Sequence, residues 1–315
     1  MIVFACAHPS IDKLFEVERL TPGAIHRPTS FVQVAGGKGL NAARGAAQLG
    51  AEVRAVALLG GHAGGWIEDA LAEESIDARF ARGSHETRSC LSAADEETGG
   101  LTEFYEDGPS VEPEVWEAFE AEIEEALVDA AWIALSGSIP AGAPADGYAG
   151  IAASARSSGV RVAVDARGVF LEHALSSEPD VVKVNVGEAA QILQSRTTND
   201  DPVVVAMDLR RRAGGDGHAA VVTLGTDGTI AVDPDGRVFR GALDVRGRYS
   251  VGSGDAFLGG LLTALDADDP FGSALASALA SGLGAAAANA EVPGAGRLNA
   301  ERARALSARA RVETI

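Results

Sequence analysis

The chain has 315 residues, with 26 Lys and Arg against 45 Asp and Glu, and its formal net charge of -19 excludes the basic face of a nucleic-acid binder. Apolar residues make up 46% and charged residues 23%, as in a soluble globular protein with one large domain or two smaller ones. Two cysteines, Cys6 and Cys90, give neither a disulfide framework nor metal spacing, so a reducing, cytoplasmic setting fits, and no stretch reads as a signal peptide or membrane span.

Residues 2–6 are an apolar run that reads as a buried strand. His8-Pro9-Ser10-Ile11-Asp12 reads as a polar turn at its C-terminal end, where open α/β sheets collect ligands. Asp12 is there either an acceptor for sugar hydroxyls or a solvated turn residue. Residues 13–34, punctuated by Pro22-Gly23 and Pro28, suit short strands outside the main sheet. Gly36-Gly37-Lys38-Gly39-Leu40-Asn41-Ala42-Ala43-Arg44 then opens a helix running to about residue 49. Its glycines let a ligand approach closely, and Asn41 offers a donor and an acceptor at the same entrance. The spacing, and the absence of a Lys-Ser/Thr ending, exclude a Walker A loop.

Residues 51–59 read as a strand, 60–65 as a loop and 66–75 as a helix with a solvated acidic face. Residues 87–93 and 101–105 flank a turn at 95–100, a hairpin that interrupts the strand–helix alternation. It is an accessory sheet over a site or a plain surface hairpin. Arg88 on it is a fork for a substrate phosphate, or a surface partner of Glu103 or Asp95.

From residue 113 the alternation is regular. Helices are expected over 113–129, 144–157, 169–175 and 201–212, with strands over 131–135, 161–165, 181–184 and 219–224. Ser136-Gly137-Ser138-Ile139-Pro140 ends one strand, Asn185-Val186-Gly187-Glu188 another, and Gly225-Thr226-Asp227-Gly228 a third. Residues 230–232 and 238–240 suggest a hairpin, 270–290 a tightly packed helix with loosely structured ends, and 299–310 a final helix. Such alternation means a mostly parallel sheet covered on both faces.

The most informative stretch precedes those last helices. Gly252, Ser253 and Gly254 form a turn that feeds an apolar helix, whose first N–H groups suit an anion. Asp255 in that first turn is either a simple cap or a base that takes a proton from a hydroxyl while the amides hold a transferring phosphoryl group.

Gly36-Gly37-Lys38-Gly39 with Asn41 and Arg44, Ser136 to Pro140, Lys183-Val184-Asn185 with Glu188, Thr223 to Gly228, and Gly252-Ser253-Gly254-Asp255 resemble, in this order, the signatures of ribokinase-like, pfkB-type carbohydrate kinases. The resemblance covers nearly the whole chain. Thr87-Arg88, Thr102-Glu103 and Ser136 to Pro140 look most like the 1-phosphofructokinase and tagatose-6-phosphate kinase branch, which acts on phosphorylated ketohexoses. It implies a single kinase domain over 1–315, a three-layer α/β/α sandwich with a mostly parallel central sheet. A small β-sheet lid would be formed by about 11–35 and 86–106.

By this resemblance Asp255 is the base, and Gly252, Ser253 and Gly254 form the anion hole. Asp12, Gly37 and Asn41 hold the sugar, while Arg27, Arg88, Lys38 and Ser138 meet the phosphate it already carries. Lys183 and Asn185 face ATP phosphates, and Glu188 orders water around Mg2+. Thr223, Gly225, Gly228 and Asn289 shape the nucleotide pocket. Ser253 stands where the family usually has Ala, Cys90 where the branch has Asn, and Val184 where Pro is usual. The implied activity is ATP-dependent phosphorylation of fructose 1-phosphate, fructose 6-phosphate or tagatose 6-phosphate to the bisphosphate. A kinase of an unphosphorylated sugar or nucleoside, and a non-catalytic sugar-phosphate-binding regulator, are the alternatives. His8 reads as an orienting or surface residue rather than a base. The lid residues Phe31, Val32 and Val34, taken as exposed, suggest a homodimer.

Overall fold

The computed structural model describes residues 1–192, 201–267 and 271–315. Ile2–Cys6 (β1) has no polar face to offer water and is buried throughout. Its side chains divide by the two-residue period of a strand. Val3 and Ala5 enter one core with Trp116, Phe119, Tyr148 and Ile151, and Ile2, Phe4 and Cys6 enter another with Leu40, Phe257, Leu258 and Leu275. Burial of each large side chain stabilises the fold by about 1.5–3 kcal/mol.

Parallel to β1 run Val53–Gly60 (β4), Asp77–Gly83 (β5), Trp132–Ser136 (β8), Arg161–Asp165 (β9), Val181–Asn185 (β10) and Ala219–Thr223 (β11). Thr229–Val232 (β12), Val238–Ala242 (β13) and Arg311–Thr314 (β14) extend this sheet antiparallel beyond β11. The spatial order is β14-β13-β12-β11-β10-β9-β8-β1-β4-β5. Lys38–Leu49 (α1), Gly61–Glu73 (α2), Ser253–Ala267 (α8) and Phe271–Ala290 (α9) cover one face, with Ala300–Ser307 (α10) packed on α9. Pro113–Ala126 (α3), Gly147–Ser157 (α4), Gly168–Leu175 (α5), Val186–Ile192 (α6) and Pro202–Arg212 (α7) cover the other. The chain is a ribokinase-like α/β/α sandwich with a mixed central sheet.

A second, four-stranded sheet lies beside it. Its strands Ser10–Val17 (β2), Ser30–Gly36 (β3), Ser89–Asp95 (β6) and Leu101–Tyr105 (β7) take the order β3-β2-β6-β7. This is the smaller accessory sheet, or lid. Phe31, Phe104 and Tyr105 are more than half exposed on it, whereas Val34 is only 2% exposed, against the sequence expectation. Val34 stands opposite Asp12 and comes close to Gly294, which covers it.

Other expectations shift for physical reasons. Residues 60–65 are not a loop, because α2 begins at Gly61. The Glu86 carboxylate accepts the amides of His62 and Ala63 at 2.9 Å each, so a distant residue caps the helix. Ser10 to Asp12 are not a turn but the start of β2, held between β3 and β6. The final helix ends at Ser307, and β14 returns beside β13. β5 carried no clear strand signal and forms along β4. Residue 270, where one loose end of the helix over 270–290 is expected, lies outside the described residues. Among the described residues no helix is long and apolar enough to cross a membrane.

The Gly- and Ala-rich helices owe their composition to close packing. A Cβ on Gly259 would stand 2.5 Å from the Ala42 carbonyl oxygen, and one on Gly260 2.8 Å from that of Ser281. This seats α8 tightly on α1 and α9, which fixes the start of α8 against the start of α1.

Candidate active site

The two glycine-rich stretches meet here. Gly252, at φ +79°, turns the chain into α8, and a Cβ on it would strike Gly296 and Ala295. The Ser253 amide donates to the Ser250 carbonyl and the Ala256 amide to that of Gly252. Between them, the amides of Gly254 and Asp255 have no backbone acceptor among the described residues. Asp255, 8% exposed, accepts a hydrogen bond from Asn41 Nδ2 at 2.9 Å. Asn41 in turn accepts from Arg44, a buried staple that also donates to Glu74 and to the carbonyls of Ala35 and Ala295. Burial pushes the Asp255 carboxyl up to about 6, with a further rise from Asp165, while Lys38, Asn41 and Lys183 oppose it.

Beside Asp255 lies a charged chain that crosses four elements. Lys183, at 2% exposure on β10, donates to Asp165 Oδ2 at 2.6 Å. The other oxygen of Asp165 accepts from Lys38 at 2.9 Å, and Lys38 also donates to Glu188 at 2.8 Å. Burial opposes the charge of Lys38, but Asp165, Glu188 and Asp255 outweigh it and hold its pKa above the ordinary value. Burial likewise opposes ionisation of Asp165, and its two lysines overcome it and hold the carboxyl low. Glu188 and Asn185 exchange backbone-to-side-chain bonds at the start of α6. A Cβ on Gly254 would stand 3.2 Å from Lys183 Nζ, so this ammonium adjoins the turn.

The accessory sheet supplies another side. Asp12 lies opposite Val34 and Cys90 and accepts from Ser10 at 2.6 Å. Burial raises its pKa, against Ser10, Arg88 and the Gly37 amide. The half-buried Arg88 donates to the carbonyls of Pro9, His8 and Glu106, and forms no ion pair among the described residues. Its surface alternatives are engaged elsewhere: Asp95 with Leu20 and Thr98, Glu103 with Tyr105 and Ser92. Gly37 packs against Cys6, Pro9 and the His8 carbonyl, and Gly137 against Lys38, which brings Ser138 to the same entrance.

These contacts bring the Asp255 carboxylate, the Lys38 and Lys183 ammonium groups and the two amides at the start of α8 close together. Comparisons with known proteins give the family. The pfkB family carbohydrate kinase model matches residues 7–302. The chain belongs to the pfkB family of carbohydrate kinases. A tagatose-6-phosphate kinase of Staphylococcus epidermidis is 30% identical over 267 residues, covering 84% of this chain and 85% of its own. Phosphofructokinase-2 from Escherichia coli, crystallised with potassium, shares the fold at a TM-score of 0.87 and 24% identity, over 98% of each chain. A possible 1-phosphofructokinase from Thermotoga maritima does so at 0.87 and 22%, over 100% of this chain and 99% of its own.

The remaining candidates of this pfkB-family chain are placed as follows. Thr223 ends β11 and donates to the Val184 carbonyl at 3.3 Å. Gly225 faces open space, whereas Gly228 is packed on the Gly241 carbonyl. Asn289 is wholly buried and accepts the Gly296 amide, bracing the loop that seats Gly252 and Asn41. Arg27 stands exposed between β2 and β3, apart from Arg88's contacts. Asp165 is the site residue that sequence reasoning missed. Its one signal is a carboxylate that ends the strand Arg161–Asp165 behind three apolar residues, Val162 to Val164.

Asp165 and Glu188 are hard oxygen donors, and Lys38 Nζ sits between them where a cation is favoured. Asp165 spends both oxygens on lysines, so the carboxylate that fits a magnesium ion held mainly by phosphate oxygens and water is Glu188. Among the described residues no group of three or more His, Cys, Asp or Glu forms a metal cage.

Proposed function

We propose that this carbohydrate kinase uses ATP to phosphorylate a hydroxyl of a phosphorylated ketohexose, giving the bisphosphate. The observation that carries the reading is Arg88: a half-buried guanidinium bound only to carbonyls, without a carboxylate partner among the described residues, beside Asp12. A guanidinium satisfied by carbonyls keeps its charge for an arriving phosphate. In a chain of net charge -19 such a local positive point also helps an anion to enter.

On this reading Asp12, Asn41 and Gly37 hold the sugar, and Arg88 and Ser138 hold its phosphate. The acceptor hydroxyl lies at Asp255, which takes its proton as the new oxygen–phosphorus bond forms and the bond to ADP breaks. The Gly254 and Asp255 amides and Lys183 meet the charge on the moving phosphoryl group. Lys183, Asn185, Thr223 and Gly225 lie toward ATP, with Gly228 and Asn289 supporting that side. Glu188 would help hold magnesium through water, with Asp165 fixing the two lysines beside it, and the ion when bound neutralises phosphate charge. A homodimer through the accessory sheet accounts for the exposed Phe31, Phe104 and Tyr105. Light scattering that finds only monomer at working concentration would remove the dimer.

The deciding assay offers ATP with fructose 1-phosphate, fructose 6-phosphate, tagatose 6-phosphate, fructose and ribose. Bisphosphate formed from a phosphorylated ketohexose, with little product from the free sugars, is expected. Preference for a free sugar or a nucleoside would overturn the substrate class, and no ATP turnover with any acceptor would favour a regulator.

A further inference from the structure

His8 has no role in the mechanism above. Its ring Nδ1 lies 2.9 Å from Ser138 Oγ, across 130 residues of sequence. Its carbonyl oxygen accepts from Arg88 at 3.1 Å. Its Nε2 is fully enclosed and has no hydrogen-bond partner. A Cβ on Gly108 would fall 2.5 Å from that nitrogen, so the 107–108 segment closes over the ring. One residue thus touches both groups assigned to the acceptor's phosphate, Ser138 through its ring and Arg88 through its main chain.

We propose that His8 is a positioning residue for the acceptor's phosphate, donating from Nδ1 to Ser138 so that the Ser138 hydroxyl is free to donate to that phosphate. The proposal rests on the sugar-phosphate reading. A serine hydroxyl has one hydrogen to give and two lone pairs to accept with. A phosphate oxygen facing it needs that hydrogen. If Ser138 spent it on His8, only lone pairs would face the anion. A neutral imidazole carries one N–H, so donation from Nδ1 leaves Nε2 as a bare lone pair. Burial, and then the charge of Arg88, push the His8 pKa down to about 4, so the ring stays neutral at ordinary working pH. The opposite tautomer would donate Nε2–H to the Asp107 backbone beside the ring and would consume the Ser138 hydrogen, and the test below separates the two.

The test is a double-mutant cycle of His8→Phe and Ser138→Ala, with the phosphorylated ketohexose that wild type turns over best. His8→Phe should raise KM for that acceptor by roughly tenfold or more, as expected for a lost hydrogen bond to a charged group, and leave KM for ATP within twofold. In the Ser138→Ala background His8→Phe should add little. His8→Asn, whose amide can donate to Ser138, should recover most of the loss. Additive losses in the cycle, or equal rises in both KM values, would assign His8 a structural role only. A second measurement needs no variant: 15N NMR of the histidine rings in the acceptor-bound enzyme should show His8 protonated at Nδ1, and protonation at Nε2 overturns the proposal. If wild type prefers free sugars, the sugar-phosphate reading falls and this proposal with it. If wild type prefers the phosphorylated acceptor but the cycle is additive, only the assignment of His8 falls.

Discussion

The floor of the site and the accessory sheet hold their charges in different ways. On the floor Asp165, Lys183 and Asp255 are each less than a tenth exposed, and a charged or amide partner fixes every one of them. In the accessory sheet all of β7 is exposed. One link between sheet and floor is a small polar latch, in which Tyr249 donates to Glu16 at 2.9 Å, Arg248 forms an ion pair with Glu16 at the same distance, and Arg248 reaches Glu96 at 3.4 Å. Tyr249 leads directly into the turn at Gly252, so the latch joins the sheet to the catalytic turn. Buried, fully paired charges pre-organise a site, since they do not have to reorient as a reaction proceeds. Half-exposed pairs are weak enough to open and close. On the proposed function, the chemistry falls to the buried, paired floor and acceptor capture to the more exposed accessory sheet.

The largest expected effects break the floor. Asp255→Asn keeps shape and hydrogen bonding but cannot take a proton, and kcat should fall by about 10²–10⁴ with ATP binding nearly unchanged. A rate within a few-fold of wild type would remove Asp255 as the base. The same group predicts the pH profile. With its pKa near 6, kcat/KM for the acceptor should fall about tenfold per pH unit below that value and level off above it. The stability effect has the opposite sign. The raised pKa means that the folded state holds this proton more tightly than the unfolded chain does. The stabilisation is therefore full below about pH 4 and is lost as pH rises through about 6. Asp255→Asn should then stabilise the fold at pH 7 by about 1–3 kcal/mol, read as a rise in Tm.

Asp165→Ala tests the second half of the floor. It leaves Lys183 buried without its carboxylate, and breaking a buried pair from one side costs about 3–5 kcal/mol. Chemical denaturation that shows a loss below about 1 kcal/mol would mean that water reaches Lys183. Arg88→Ala moves the test to the accessory sheet. KM for the sugar phosphate should rise roughly tenfold to a hundredfold, with KM for ATP much less changed. Equal losses on fructose and on fructose 6-phosphate would dissociate Arg88 from the phosphate. The smallest effect is expected at the latch. Tyr249→Phe removes a half-buried hydrogen bond worth about 0.5–1.5 kcal/mol, so the acceptor KM should shift a few-fold and Tm barely move. A loss as large as that of Asp255→Asn would place Tyr249 on the floor.

What the sequence by itself determined is what lies in contiguous residues. The period-two division of Ile2–Cys6, the glycine entry to α1, the turn at Gly252 and the Asp201 and Pro202 start of α7 are set by neighbours along the chain. Through them the α/β/α class and the second sheet were readable, and so were Lys38, Asn41, Lys183, Glu188 and Asp255 as candidates that the structure brings together. The tertiary structure decided the rest, because those contacts join residues far apart in sequence. Asp165 became central only when Lys38, 127 residues away, and Lys183, 18 away, met on its two oxygens. Asn41 reaches Asp255 across 214 residues, and Glu86 caps a helix that local sequence reads as a loop. Val34 reads as exposed until the 294–296 loop covers it. A carboxylate at the end of a strand carries no mark of which ammonium the strand order will bring to it. That order is fixed by how whole faces bury, and a single residue's neighbours in the chain do not encode it.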